Sequence, residues 1–190
     1  MKKGLLIIIS GPSGVGKGTI REKLMKNNDI NLFYSVSMTT RKPRPGEVDG
    51  KDYYFVSDAE FTKNVEKGNL LEWTEFVGNK YGTPKDKIEL LRKEGKNILL
   101  EIEVNGAQQV ISKVPDAISI FILPPSLEEL EKRIRGRSTE TDEVIMQRLE
   151  KAKKEFEHQI DYDYKVINDN LDDTVEKIRK LIIDNMEEQL

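Results

Sequence analysis

The sequence predicts an α/β fold, an open and mainly parallel sheet with helices on both of its faces. Three observations carry that expectation. Four short runs, at residues 5–9, 98–102, 118–123 and 164–167, are apolar almost throughout, and strands without polar alternation belong to sheets covered on both sides. Helical patterns fall between and after these runs, the βαβ rhythm of parallel sheets. The first run leads straight into a glycine-rich loop and then a helix, the context of a phosphate-binding loop.

The elements follow in chain order. After the strand at 5–9, the loop at 11–16 opens a helix. Residues 32–83 then break the rhythm. They hold a Tyr-Tyr-Phe-Val strand at 53–56, a strand at 70–77, and between them a helix whose start is capped by Ser57 with Glu60 three residues on. The loop at 42–51 is rich in Pro, Gly and charge. This stretch reads as a small inserted β subdomain. Beyond the strand at 98–102 a helix follows Asn105. Beyond 118–123 another starts at the capping box of Ser126 and Glu129. Residues 133–148 are densely charged around Gly136 and read as a candidate mobile lid. A long helix runs from about 142 to 158, and a last one from about 171 to the end, after the strand at 164–167.

At 190 residues the chain suits one ordinary domain or one domain with mobile flaps, and 37% hydrophobic residues supply a core. A net charge of −3 argues against unspecific nucleic-acid binding, which needs a basic excess. The absence of cysteine excludes disulfides and thiolate metal sites. Met1-Lys2-Lys3 and the apolar run behind it superficially copy a signal peptide. The run covers only 5–9 and meets Gly-Pro-Ser-Gly with no small-residue cleavage site, so a buried strand explains it better. No stretch approaches membrane-spanning length, and a cytoplasmic enzyme with no membrane partner is expected.

The loop Gly11-Pro12-Ser13-Gly14-Val15-Gly16-Lys17-Gly18-Thr19 supplies glycines that let backbone N–H groups converge on phosphate oxygens. The helix N-terminus adds partial positive charge and Lys17 a full one. The hydroxyl that usually follows the lysine directly is displaced by Gly18 onto Thr19, about 100° further round the helix. Mg²⁺ is then expected to be held mainly by ATP oxygens, water and a carboxylate elsewhere.

Arg41, Arg44 and Tyr53 share a turn-rich loop. Arginine forks and a phenol suit a phosphate, while the residues alone fit a solvated charged loop equally well. Glu101 and Glu103 are two apart at the end of a strand, where ligands of open α/β sheets collect, and are expected to share a face. For Glu103, ion pairing with Lys17 or a lid arginine is the competing reading. Arg133 and Arg137 are four apart and share a helix face if the helix persists. With Arg148 they either converge on ATP phosphates or form a solvent-facing charged helix. His158, the sole histidine, has no acid or nucleophile patterned around it and reads as structural.

Seven blocks in order make the chain resemble the guanylate kinase family from end to end. They are the phosphate loop, the stretch 37–53, Leu71-Glu72-Trp73, Tyr81-Gly82-Thr83, the stretch 101–106, Arg137-Ser-Thr-Glu-Thr141, and Lys165-Val-Ile-Asn168-Asp169. The resemblance implies a P-loop nucleoside monophosphate kinase fold. Its core is 1–31, 84–125 and 160–190, its GMP-binding insert about 32–83 and its lid about 126–159. It implies transfer of a phosphoryl group from ATP to GMP, with Mg²⁺, in purine nucleotide metabolism. ATP is expected on residues 11–19 with Arg133, Arg137 and Asn168. The GMP phosphate is expected on Arg41, Arg44, Tyr53 and Tyr81. Ser37, Glu72 and Thr83 are implied to read the guanine, with Glu101 beside it. Glu103 and Thr19 are implied near Mg²⁺, although the family usually carries aspartate at one or both of the glutamate positions. Lys17, Arg41, Arg137 and Arg148 are the implied catalytic set.

The chemistry of that assignment is coherent. Guanine offers a ring N–H and an exocyclic NH₂ side by side, a donor pair that the Glu72 carboxylate can accept. Adenine presents a lone pair there instead. Without the resemblance, an outward charge on a strand next to Trp73 is the competing, less favoured reading of Glu72. The family also contains kinase-like domains that act as protein scaffolds and no longer catalyse, and these form the alternative. Here Lys17, Arg41, Arg44, Arg137 and Arg148 are all present.

Overall fold

In chain order the elements are β1 (Leu6–Ser10), α1 (Lys17–Leu24), β2 (Leu32–Tyr34), β3 (Met38–Thr39), β4 (Tyr54–Phe55), α2 (Asp58–Glu66), β5 (Leu70–Phe76), β6 (Asn79–Pro84) and α3 (Lys85–Lys93). There follow β7 (Asn97–Glu101), α4 (Val104–Lys113), β8 (Ala117–Leu123), α5 (Leu127–Arg137), α6 (Asp142–Glu157), β9 (Tyr164–Ile167) and α7 (Leu171–Glu188). The computed structural model describes residues 2–76, 78–137 and 141–188, the side chains of Phe76 and Arg137 excepted. Val77 of the expected strand at 70–77, residues 138–140 of the expected lid and the last two residues lie outside the described set.

Five strands form a parallel sheet in the order β2-β7-β1-β8-β9. Alternate residues of β1 serve two cores. Ile7 and Ile9 pack with Ile20 and Leu24 of α1, Leu130 of α5, Leu149 of α6 and Ile178 and Ile182 of α7. Leu6 and Ile8 pack on the opposite face with Ile88 of α3 and Val104, Ala107 and Val110 of α4. Each such side chain contributes roughly 1.5–3 kcal/mol by leaving water, which is why the apolar runs lack polar alternation. Both capping boxes form, with the Glu129 N–H donating to Ser126 Oγ at 3.1 Å and the Glu60 N–H to Ser57 Oγ at 3.2 Å.

The second sheet, β4-β3-β6-β5, draws all its strands from residues 38–84. The expected insert boundary at residue 32 shifts accordingly. Residues 32–34 belong to the main sheet as β2, paired with β7 from Leu32↔Asn97 to Tyr34↔Leu99. Helix α3 was not expected from the sequence. Its start has Pro84 as N-cap and no side-chain cap bond, and its surface is thick with charge. Among the described residues, no helix is long and apolar enough to cross a membrane.

Candidate functional site

β1 ends at Ser10, and the chain turns at once into a loop in which Gly11, Gly14 and Gly16 adopt φ of 141°, 88° and 102°. A Cβ on Gly11 would stand 2.4 Å from the Ile122 carbonyl oxygen, so the loop lies hard against β8. Gly16 caps α1, whose first turn carries no acidic residue. The unpaired N–H groups of that turn are the makings of an anion cradle. Lys17 Nζ donates to the carbonyls of Gly11 and Pro12 at 2.5 and 3.0 Å. Burial pulls the Lys17 ammonium below the ordinary lysine range, and Glu101, Glu155 and Glu103 draw it back up.

Two elements brace the loop from outside. Asn168, buried just after β9, donates from Nδ2 to the Val15 carbonyl at 2.8 Å. Its own carbonyl accepts from Arg133 Nη1 at 3.0 Å, and Arg133 Nε pairs with Glu129 one turn back. From α6, Arg148 Nη2 donates to Ser13 Oγ at 2.7 Å. The helix persists through both Arg133 and Arg137, as their shared face requires. The side chain of Arg137 lies outside the described residues.

Beyond the loop opens a cavity of about 260 Å³ lined by Ser37, Tyr53, Glu72, Thr74, Tyr81, Gly82, Glu101, Ile102 and Glu103. Glu72 is its most unusual wall. It is 3% exposed while its neighbour Trp73 is 39% exposed, the reverse of an outward charge. The register of β5 on β6 shifts between Leu70 and Trp73, and such an irregularity re-aims side chains beside a site. Leu71 thereby joins the core under α4 while Glu72 enters the cavity. Glu72 Oε1 accepts from the Thr83 hydroxyl at 2.6 Å. Burial pushes the carboxyl up to about 7, against the opposing pull of Thr83 and Lys113.

Helix α4 holds this strand in place with one face. Gln109 clips the Trp73 backbone through both of its polar groups, accepting from the N–H at 3.2 Å and donating to the carbonyl at 2.9 Å. Lys113 Nζ donates to the Leu71 carbonyl at 2.8 Å. Gly106 leaves the space into which the carboxylate fits, because a Cβ there would lie 2.5 Å from Glu72 Oε2. None of these three positions was singled out from the sequence, although their spacing of three and four residues marks a single helix face.

The two carboxylates after β7 join the cavity to the loop. Glu101 closes the strand and pairs with Arg21 of α1 at 3.2 Å. Its Oε1 stands 3.7 Å from where a Cβ of Gly18 would be. Glu103 is not on the strand. It is the N-cap of α4 and pairs with Lys151 of α6 at 3.2 Å. The shared strand face expected for the pair is therefore replaced by a strand end and a helix cap, which still line one cavity. Arg148, Lys151 and Glu155, three and four residues apart, give α6 a charged face toward the loop and Glu103.

Arg41 is half-buried and packs over the rings of Tyr53 at 5.4 Å and Phe55 at 5.8 Å. Tyr53 meets Tyr81 edge-on with centroids 6.1 Å apart. Arg44 is exposed on the same loop, and Thr19 is half-buried in the first turn of α1. A larger hollow of about 580 Å³ around Arg92 and Lys113 shares no residue with the cavity or the phosphate loop.

Comparison with known proteins gives a consistent result. A family model described as guanylate kinase matches residues 3–185. The guanylate kinase of Lactococcus lactis subsp. lactis (strain IL1403) is 54% identical over 181 residues, covering 95% of this chain and 88% of that one. The guanylate kinase of Bacillus anthracis is 52% identical over 182 residues, covering 96% and 89%. The crystal structure of guanylate kinase from Anaplasma phagocytophilum matches with a TM-score of 0.78 at 34% identity, covering all of this chain and 88% of that one.

Proposed function

The chain belongs to the guanylate kinase family and phosphorylates GMP with ATP, and from that premise we propose how its own residues divide the work. The donor phosphates lie in the cradle of residues 11–19, against Lys17 and the first-turn N–H groups of α1. GMP enters the cavity with its guanine donors on Glu72 and its phosphate toward Arg41, Arg44, Tyr53 and Tyr81. The observation that carries this reading is the buried Glu72 carboxylate in a cavity that reaches, through Glu101, the edge of the phosphate loop.

The GMP phosphate is already largely dianionic near neutral pH, since its second pKa is about 6, and it needs no general base. What the protein supplies is alignment and charge neutralisation. Lys17 exchanges its contacts with the Gly11 and Pro12 carbonyls for phosphate oxygens. Arg148 on α6, already at the loop through Ser13, stabilises charge on the transferring group, together with Arg137 and Arg133 of α5. Arg41 and Arg44 offset the repulsion between the two anions. Asn168 keeps the loop shaped for the nucleotide and marks the adenine side.

Mg²⁺ fits this donor set. It prefers oxygen ligands, keeps several waters, and takes one or two carboxylates beside substrate phosphates. Glu103, half-exposed at the cavity wall, and Thr19, in the first turn of α1, would hold it directly or through water. Bound with ATP, it would supply charge neutralisation across the phosphates.

We assign the residues within about 35–83, beyond the main-sheet strand β2, to a GMP-binding flap and those within about 126–159 to a lid, because water competes as acceptor until both close. A site that consumes ATP and GMP works where both are kept, which supports a cytoplasmic location. The scaffold alternative finds no support in a chain with its loop lysine and acceptor arginines intact. The test is ATP hydrolysis without GMP. Turnover at least about a hundredfold below the GMP-dependent rate is expected, and rapid GMP-independent hydrolysis would refute the closure scheme.

A further inference from the structure

The loop that carries Arg41 and Arg44 also carries a carboxylate with no assigned task. Arg44-Pro45-Gly46-Glu47 forms a β-turn in which the Glu47 N–H donates to the Arg44 carbonyl at 3.1 Å, with Gly46 at φ 89°. Proline second and a positive-φ glycine third are the signature of a type II turn. A side chain at Gly46 would meet nothing within 4 Å, so glycine is required there by backbone conformation alone.

That turn folds the Glu47 side chain back onto both arginines. Oε2 accepts from the Arg44 N–H at 2.6 Å and from Arg41 Nη1 at 3.0 Å, while Oε1 accepts from Arg41 Nη2 at 2.7 Å. Arg41 Nη1 also donates to the Lys42 carbonyl at 2.8 Å. These contacts hold Glu47 below the usual carboxylate range and Arg41 above its ordinary value.

A guanidinium has five N–H donors, and the Glu47 and Lys42 bonds use three of them, all at its outer end. The edge formed by Nε and the second Nη2 hydrogen is the other bidentate face, suited to a phosphate. Tyr81, a cavity wall, also accepts a hydrogen bond from this guanidinium, as a phosphate oxygen would. Glu47 therefore engages the outer end of the fork and not its Nε edge. Its second anchor on the Arg44 amide keeps it in place when the phosphate arrives.

We propose that Glu47 is a positioning residue for the acceptor: it fixes the Arg41 fork and the Arg44 backbone so that one guanidinium edge is presented to the GMP phosphate. The proposal rests on the GMP-site reading given above and deepens it.

The test is steady-state kinetics of Glu47→Gln and Glu47→Ala in the full chain, with GMP and ATP varied separately. KM for GMP is expected to rise about tenfold or more, the scale of lost charge-assisted hydrogen bonds. KM for ATP stays within about twofold, which also reports an intact fold. In an Arg41→Lys background the same substitutions add less than about twofold, because lysine has no fork to fix and the two effects are not additive. An unchanged KM for GMP in the single variants overturns the proposal. So does a lowered one, which would make Glu47 a competitor of the phosphate, and so do fully additive effects. If Arg41→Lys itself leaves KM for GMP unchanged, the GMP-site reading fails as well. If Arg41→Lys raises it while the Glu47 variants do not, only the positioning role fails.

Discussion

The hydroxyl of Thr83 donates to Glu72 Oε1 at 2.6 Å, inside a wall where Glu72 is 3% exposed. One buried oxygen thus has a fixed partner, while Oε2 stands in the space that Gly106 leaves open. A carboxylate so placed is poorly solvated until a ligand brings donors to it.

Burial pushes Glu72 up to about 7, above the 4.5 of an ordinary glutamate. The ligand-free folded protein then binds this proton more tightly than the unfolded chain does. The resulting stability is fully present below about pH 4.5 and is lost as pH rises toward about 7, a contribution on the order of 3 kcal/mol. Relative to Glu72→Gln, the wild type is expected to lose thermal stability across that window, and scanning calorimetry at several pH values checks it. Guanine donors favour the ionised carboxylate, so GMP binding should release a proton near neutrality. Titration calorimetry in buffers of different ionisation enthalpy reads that release.

Gly106→Ala places a methyl 2.5 Å from Glu72 Oε2. The carboxylate must leave its Thr83 partner or the helix must move. KM for GMP is expected to rise about tenfold or more with KM for ATP nearly unchanged, since the phosphate loop is not involved. Unaltered GMP kinetics would mean that the carboxylate position is not what binds the base.

Asn168→Ala removes the amide that satisfies the buried Val15 carbonyl. The cost is about 1–3 kcal/mol, or roughly 2–4 °C in Tm for each kcal/mol in a domain of this size. Because that carbonyl belongs to the phosphate loop, KM for ATP should rise more than KM for GMP. Thermal melts and substrate titrations on one preparation separate the two effects.

The strands of the main sheet and the phosphate loop were legible because their signals are local. β1 and β8 are apolar runs, and the loop shows its glycines, lysine and following helix in contiguous sequence. β2 was not legible, since three residues are too few to show a period, and only pairing with β7 makes them a strand. Helix α3 lacked a cap signal. In the site, Arg41, Glu72 and Glu101 stood out by type and family spacing. Gly106, Gln109 and Lys151 did not, because their work is done on partners 30 to 50 residues away: the Glu72 carboxylate, the Trp73 backbone and Glu103. Glu47 looked like one charge among several in a solvated loop until the turn at Gly46 brought it onto Arg41.

The base-reading role of Glu72 is tested most directly by kcat/KM for GMP and for AMP, measured with wild type and Glu72→Gln under the same ATP concentration. The wild type is expected to prefer GMP by about 10⁴ or more, the discrimination that buried hydrogen-bonding sites reach. Glu72→Gln is expected to lose at least about a hundredfold of that preference. Comparable use of AMP by the wild type, or full preference for GMP in Glu72→Gln, would contradict the account.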